Sequence, residues 1–303
     1  MQPLVNYLKN PAIMCDSLVY HFGQWLPDSV YLKLRYRFQM RKRLNLENPK
    51  TFQEKIQWLK LHDRNPLYTL LVDKVLVKEY VAEKVGRRYV IPLLGVWDRP
   101  EDIEWGKLPN RFVLKTNHSG GNTGVVICRN KKEFDCEKAI QKLNDSLKDN
   151  VFNSLREWPY KNVKKKVFAE EYVETNPFLK DLPDYKWYCF KGEPKYCQVI
   201  QNRTTKETID FYDTEWNRQE FFGLNPAAQP AAQPVTQPVN LSTQIFIAKE
   251  LSKDIPFARI DLYEIRDKVY FGEITFYPAS GLGVFTPNKY DDILGKMITL
   301  PDV

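Results

Sequence analysis

Asp261 and Glu273, near the C-terminal end of the chain, have the type and spacing to share a metal ion. Runs rich in Ile, Val, Phe and Tyr flank Arg266-Asp267-Lys268 between Phe257 and Pro278, and they read as a β-hairpin. With those three residues as the turn, Ile265 pairs with Val269, Asp261 falls opposite Glu273, and Arg259 opposite Thr275. Alternation then puts Arg259, Asp261, Glu273 and Thr275 on one face and Ile260, Leu262, Ile274 and Phe276 on the other. Directly opposed carboxylates lie about 5 Å apart at Cβ and repel each other. A purely structural hairpin has no use for that arrangement. A divalent cation such as Mg²⁺, shared with phosphate oxygens, does. A two-residue turn would shift the register by one and scatter the four groups over both faces.

Phosphate-facing candidates lie upstream. Lys115 ends an apolar strand, RFVLK, ahead of His118-Ser119-Gly120-Gly121-Asn122-Thr123-Gly124 and a second strand, GVVIC. A loop between two strands lacks the strand-to-helix setting of a Walker loop or a Rossmann turn. Gly120, Gly121 and Gly124 still let backbone N–H groups close over phosphates as a lid, with Lys115 in reach. A loose Gly-rich hairpin is the alternative, and His118 receives no role. In Ala169-Glu170-Glu171-Tyr172-Val173-Glu174 three carboxylates end an apolar strand. That suits an exposed terminus, or a strand end that bonds a ring edge with a carboxylate near ribose hydroxyls. Lys186 points away from Tyr185 and Trp187 in an aromatic strand, so it needs an anion. A phosphate would serve, and so would a salt bridge with Asp184 or Glu171.

These groups need a scaffold of mixed type. Residues 1–88 read as mostly helical. Asp28 can cap a segment in which Tyr31, Leu32, Leu34, Tyr36 and Phe38 alternate with Lys33, Arg35, Arg37, Arg41, Lys42 and Arg43. This basic stretch is either a solvated helix face or a contact for an acidic polymer or membrane headgroups. Thr51 and Glu54 form a capping box before the apolar stripe Phe52, Ile56 and Leu59, and one further helix runs from Leu70 to Val85. From Tyr89 strands take over, at 89–96 (an edge, given Pro92), 111–115, 125–128 and 167–173, with a helix at 131–149. A hairpin about Lys191-Gly192-Glu193 follows, and later a helix at 242–251. Pro226 to Val239 repeats Gln-Pro and reads as a mobile surface insertion that cannot pack in a core. The order is that of an α+β protein. Its divisions fall at 1–88, 89–175 and 176–303.

The chain has 303 residues, 43% of them hydrophobic, which is enough for a sizeable core. A net charge of +7 favours an anionic partner. Five cysteines without C-x-x-C spacing indicate neither a disulfide framework nor a zinc site, which points to a reducing cytoplasm. There is no signal-peptide core and no apolar run near ~18 residues.

The order of these features resembles an ATP-grasp enzyme. A Lys-ending strand and a Gly-rich hairpin loop precede an E-E-x-V strand end and a D-x-K strand, and R-x-D and E-x-T close the set. The wording is similar to the TupA-like branch, linked to teichuronopeptide biosynthesis. The pieces are KTFQEKIQWLKLHDR, LVDKVLVKEYV, IPLLGVW, LPNRFVLKTNHSGG, FAEEYVE, DYKWYCFKGEPKY, RIDLYEI and YFGEITFYPASG. The resemblance implies an ATP-grasp fold, two α+β subdomains gripping ATP, here with a mostly helical N-terminal region. It implies that Lys115 and Lys186 hold ATP phosphates beneath a lid of Gly120, Gly121 and Gly124. Glu171, Tyr172 and Val173 would form the adenine hinge, with Glu174 near the ribose. Asp261 and Glu273 would carry Mg²⁺, and Arg259 would stabilise the transferred phosphoryl with Lys186. Thr275 stands where the family has an Asn ligand, and a hydroxyl is the poorer ligand. The N-terminal region also departs from the Rossmann-like start of many relatives.

The implied activity is carboxylate–amine ligation through an acyl-phosphate. Its expected partners are ATP, a small-molecule amine and an anionic sugar or polysaccharide acceptor. A sugar-modifying transferase, kinase or glycosyltransferase, is the alternative. No nucleic-acid recognition motif accompanies the basic stretch. The expected location is the cytoplasm, with contact at the inner membrane face through residues 31–43 left open.

Overall fold

Proline and glycine cut the first third of the chain into short helices. The computed structural model describes residues 10–121, 123–173 and 182–302. Helix α1 (Pro11–Phe22) begins on a proline and ends at Gly23, and α2 (Asp28–Met40) follows Pro27. Helix α3 (Phe52–His62) carries the expected capping box, Thr51 with Glu54. Where one helix was expected over 70–85 there are two, α4 (Leu67–Val72) and α5 (Leu76–Lys84). Asp73 makes the break. Its Oδ1 accepts the N–H groups of Val75 at 2.8 Å and Leu76 at 3.2 Å, offering the backbone an alternative to the helix.

The next unit runs β1 (Leu93–Trp97), β2 (Phe112–Thr116), β3 (Val125–Cys128), α6 (Cys136–Lys148), α7 (Val151–Leu155) and β4 (Val167–Glu171). Its strands form an antiparallel sheet in the order β1-β4-β2-β3, with β1 at the edge as Pro92 requires. Asp135 caps α6, whose Ala139 and Leu143 pack against Phe112, Leu114, Val167 and Ala169. Alternation leaves Lys115 and Glu170 on the opposite face.

The second sheet comprises β5 (Asp184–Phe190), β6 (Glu193–Gln201), β7 (Thr208–Tyr212), β9 (Phe257–Ile265) and β10 (Lys268–Thr275). They pair antiparallel in the order β10-β9-β5-β6-β7. Between β7 and β9 the chain forms β8 (Phe222–Gly223) and α8 (Leu241–Ser252). After β10 come β11 (Phe285–Thr286), which pairs with β8, and α9 (Lys289–Met297). Helix α8 lies over one face of this sheet: the Trp187 indole donates to Gln244 Oε1 at 3.1 Å. Ile260 sits opposite Trp187, so Lys186 and Asp261, also cross-strand partners, face away from α8. Helices α3 to α5 share a continuous core with this sheet, and Phe52 meets the rings of Phe257, Phe285 and Tyr188. The α+β class is as expected.

The Gln-Pro stretch corrects an expectation. It lies strapped to the sheet edge instead of standing clear of the core. Ala228 is buried, Gln229 O accepts from Ile209 N at 3.0 Å, and Ala231 N donates to Asp210 Oδ2 at 3.1 Å. Val235 N donates to the Tyr212 hydroxyl at 2.6 Å, and its carbonyl accepts from the Trp216 indole at 2.9 Å. Ala228 fills a small site and Val235 is half-buried, while Ala227, Ala232 and Val239 stay exposed, and the unpaired backbone finds polar side chains.

Candidate active site

The β9–β10 hairpin reaches the expected facing by an unexpected route. Its turn has two residues, Arg266 and Asp267, both left-handed at φ 50° and 59°. That is the twist a two-residue hairpin favours. Lys268 therefore pairs with Ile265 and Val269 with Glu264, which corrects the three-residue turn and its Ile265–Val269 pair. Left alone, this register would split the acidic pair. A bulge at Gly272 restores it, so Glu273 faces Asp261, Ile274 faces Ile260 and Thr275 faces Arg259. A Cβ on Gly272 would lie 2.9 Å from Tyr263 Cε2 and 3.0 Å from Asp261 O, so any larger residue makes one of them give way.

On the resulting face the Arg259 guanidinium grips Asp261 with two bonds of 2.7 Å. It also donates to Thr275 Oγ1 at 3.1 Å and lies 3.5 Å from Glu273 Oε1. The Lys186 ammonium pairs with Asp261, so the alternative to a phosphate, a salt bridge with Asp184 or Glu171, is not the pairing it makes. Asp184 pairs with Arg203. Lys74 reaches Glu273 Oε2 at 3.1 Å from the α4–α5 break. Burial works against ionising Glu273, yet Lys74, Lys186 and Arg259 together hold its carboxyl well below the usual range. Three cations thus surround two carboxylates.

On the other sheet Lys115 pairs with Glu170, which also receives the Lys78 ammonium at 2.9 Å. Burial raises and the two lysines lower the Glu170 pKa, and the lysines win. Of the acidic run that ends β4, Glu170 is the buried member, while the Glu171 side chain is exposed. Tyr172 lies under the Arg111 guanidinium, Val173 is half-buried, and Glu174 is outside the described residues.

The Gly-rich loop divides by role. Gly120 and Gly121 have open space around them, and Gly121 is left-handed at φ +60°. Gly124 instead sits where the Thr116, Ser119 and Ser146 hydroxyls meet, and a Cβ there would overlap all three. Asn117 anchors the loop base, donating to Asp73 Oδ2 at 2.8 Å and to Lys164 O at 3.0 Å, while its carbonyl accepts from Lys74 N. The segment 73–78 therefore stitches the base of the Gly-rich loop, Glu170 and Glu273 together.

Residues 54–299 match the family of TupA-like ATP-grasp proteins. The chain belongs to that family. No curated protein matches it. Among solved structures it is similar to D-alanine–D-alanine ligases from Bacillus anthracis and Helicobacter pylori, at 15% identity to each and TM-scores of 0.43 and 0.44. The alignments cover 75% and 83% of this chain and 66% and 70% of those ligases. A carboxyaminoimidazole ribonucleotide synthase from Aspergillus clavatus complexed with ATP matches at 12% identity and a TM-score of 0.39, over 68% of this chain and 45% of that one. The family assignment rests on the 54–299 match.

In this TupA-like ATP-grasp protein the sheet face joins Lys186, Arg259, Asp261, Glu273 and Thr275 as one cluster, with Lys115 on the other sheet. Lys74 and Lys78 escaped the sequence reading, and Glu170 entered it only as one of three carboxylates at a strand end. The signal for the lysines was available in LVDKVLVKEYV, where two lysines four residues apart follow an aspartate. Among the described residues no three His, Cys, Asp or Glu side chains converge as a metal cage. Two carboxylates and a hydroxyl fit Mg²⁺, which keeps several waters and shares carboxylates with phosphates.

Proposed function

We propose that this protein is an ATP- and Mg²⁺-dependent carboxylate–amine ligase that works through an acyl-phosphate. One observation carries the reading: Lys74, Lys186 and Arg259 surround Asp261 and Glu273 on one sheet face, tied through residues 73–78 to Glu170 and Lys115. The positive excess suits a polyphosphate. Phosphoryl transfer to a carboxylate asks for clamping and charge neutralisation more than for a dedicated base.

In this reading Lys115 and Lys186 hold the ATP phosphates, and the backbone N–H groups of Gly120 and Gly121 close over them. Gly124 sets the loop base. The backbone of Glu171, Tyr172 and Val173 meets the adenine edge, with Glu174 at the ribose. Asp261, Glu273 and the Thr275 hydroxyl would hold Mg²⁺, which when bound neutralises phosphate charge. Arg259 and Lys186, on the same face, would stabilise the charge of the transferred phosphoryl group. Residues 89–175 and 176–303 act as the gripping halves, and 1–88 lends Lys74 and Lys78.

The substrates proposed are an amino acid as the amine and a uronic acid, or a surface polysaccharide bearing one, as the carboxylate. The proposed location is the cytoplasm; among the described residues no helix is long and apolar enough to cross a membrane. The test is phosphate release from ATP with glucuronate and a panel of amino acids. Release that needs both partners is expected. Silence across the panel with intact ATP binding would overturn the substrate class, and failure to bind ATP would overturn the whole reading.

A further inference from the structure

Helix α1 wears an apolar stripe on its outer side. Met14, Leu18 and Phe22 recur at four-residue spacing, and Trp25 stands exposed in the turn after the helix. Leu18 is 51% exposed, Phe22 72% and Trp25 81%. Four-residue spacing lays Met14, Leu18 and Phe22 along one helix face. The inner side of α1 is committed elsewhere: Val19 packs into a small core with Tyr31, Leu32 and Tyr36 of α2. Asp16, the one acidic residue of α1, is held by Arg35 and Gln39, so the outer face carries no negative charge.

The basic stretch that follows cannot supply an apolar face of its own, because Tyr31, Leu32, Tyr36 and Met40 are buried. Its charges remain outside: Lys33, Arg37, Arg41, Lys42 and Arg43 are exposed. Arg41 donates to Asn10 Oδ1 at 2.6 Å, which brings the Arg41–Arg43 cluster to the start of α1. Residues 10–46 hold six basic side chains against two acidic ones, four of the chain's seven excess positive charges.

We infer that α1 and Trp25 lie in the headgroup layer of an anionic phospholipid surface, with Arg41, Lys42 and Arg43 against its phosphates. A twelve-residue helix, about 18 Å long, is too short to span and suited to lie flat. Charge selects this occupant. A second copy of the chain would bring the basic cluster against its own like, and a soluble polyanion would leave the apolar stripe in water. The inference concerns a surface remote in sequence from the ATP-facing residues and does not depend on the ligase reading.

The test is co-sedimentation of the full chain with vesicles of phosphatidylcholine alone and of an equal mixture of phosphatidylcholine and phosphatidylglycerol. Binding to the mixed vesicles only, weakened by salt, is expected. Phe22→Glu and Leu18→Glu should abolish it, and Lys42→Gln or Arg43→Gln should each weaken it roughly fivefold. Trp25→Phe should remove the blue shift of tryptophan emission that accompanies binding. Phe22 and Trp25 are so exposed that unchanged melting is expected for their variants. No binding by the wild-type chain, or binding that Phe22→Glu leaves intact, overturns the inference. A dimer that Phe22→Glu converts to monomer overturns it in favour of a second copy.

Discussion

Glu273 lies 3.1 Å from the Lys74 ammonium and 3.5 Å from the Arg259 guanidinium, and those cations hold it ionised far into acid. In the unfolded chain its carboxyl returns to about 4.3. Its contribution to stability is therefore complete above that pH and is lost as the pH falls toward the depressed folded value. The side chain is about a third exposed, so solvent screens part of the effect. Thermal melts taken from about pH 6 downward should show an acid limb that Glu273→Gln makes shallower. The same variant should lower ATP turnover roughly 10²-fold, the scale for losing one charged group at a transition state. Wild-type turnover in Glu273→Gln would contradict the metal assignment. Asp261→Asn is the poorer probe, because Asp261 is buried between Arg259 and Lys186. Removing one partner there costs about 3–5 kcal/mol of stability whatever its role in catalysis.

Two local irregularities set these side chains in place, and neither belongs to a regular helix or strand. The Asp73 break lets Lys74 leave the helix line for Glu273 while Lys78, on α5, turns to Glu170. Asp73→Ala should cost about 1–2 kcal/mol for the lost cap. It should also weaken ATP binding measured by calorimetry, since Asn117 and the base of the Gly-rich loop lose their anchor. Unchanged affinity would separate the break from the site. The Gly272 bulge is the second device. Gly272→Ala forces Tyr263 or the Asp261 carbonyl to move, at about 1–3 kcal/mol. Turnover should be lost at temperatures where the variant is still folded, because the acidic pair no longer meets. Gly106→Ala, which enters open space, is the matched control and should change neither.

Across the whole molecule, what the sequence made legible follows from periodicity. Alternation in FARIDLYEI and KVYFGEIT separated the apolar from the charged face, and the capping box at Thr51 and Glu54 marked α3. The turn length was misread because Arg266-Asp267 lacks the usual Gly, and the bulge that compensates is visible only once β9 and β10 are paired. The partners of Lys74, Lys78 and Glu170 were hidden because each acts across elements distant in sequence, which the pattern within one segment does not pair. The Gln-Pro stretch looked unable to pack, yet polar partners from β7 and its neighbours took up its backbone. Those long-range ties make one mechanical unit of the segment 73–78 and both sheets, and ATP would bind where that unit is densest in charge. A ligand held only by the folded chain raises its melting point, by about 2.7 kcal/mol of stability at a hundredfold excess over Kd. ATP with Mg²⁺ should therefore shift the melt by several degrees, ATP with a chelator by less, and uridine diphosphate sugars not at all. Lys115→Met and Lys186→Met should each erase most of the shift, since each removes a phosphate contact on a different sheet. A larger shift with a nucleotide sugar than with ATP would move the protein from ligase to transferase.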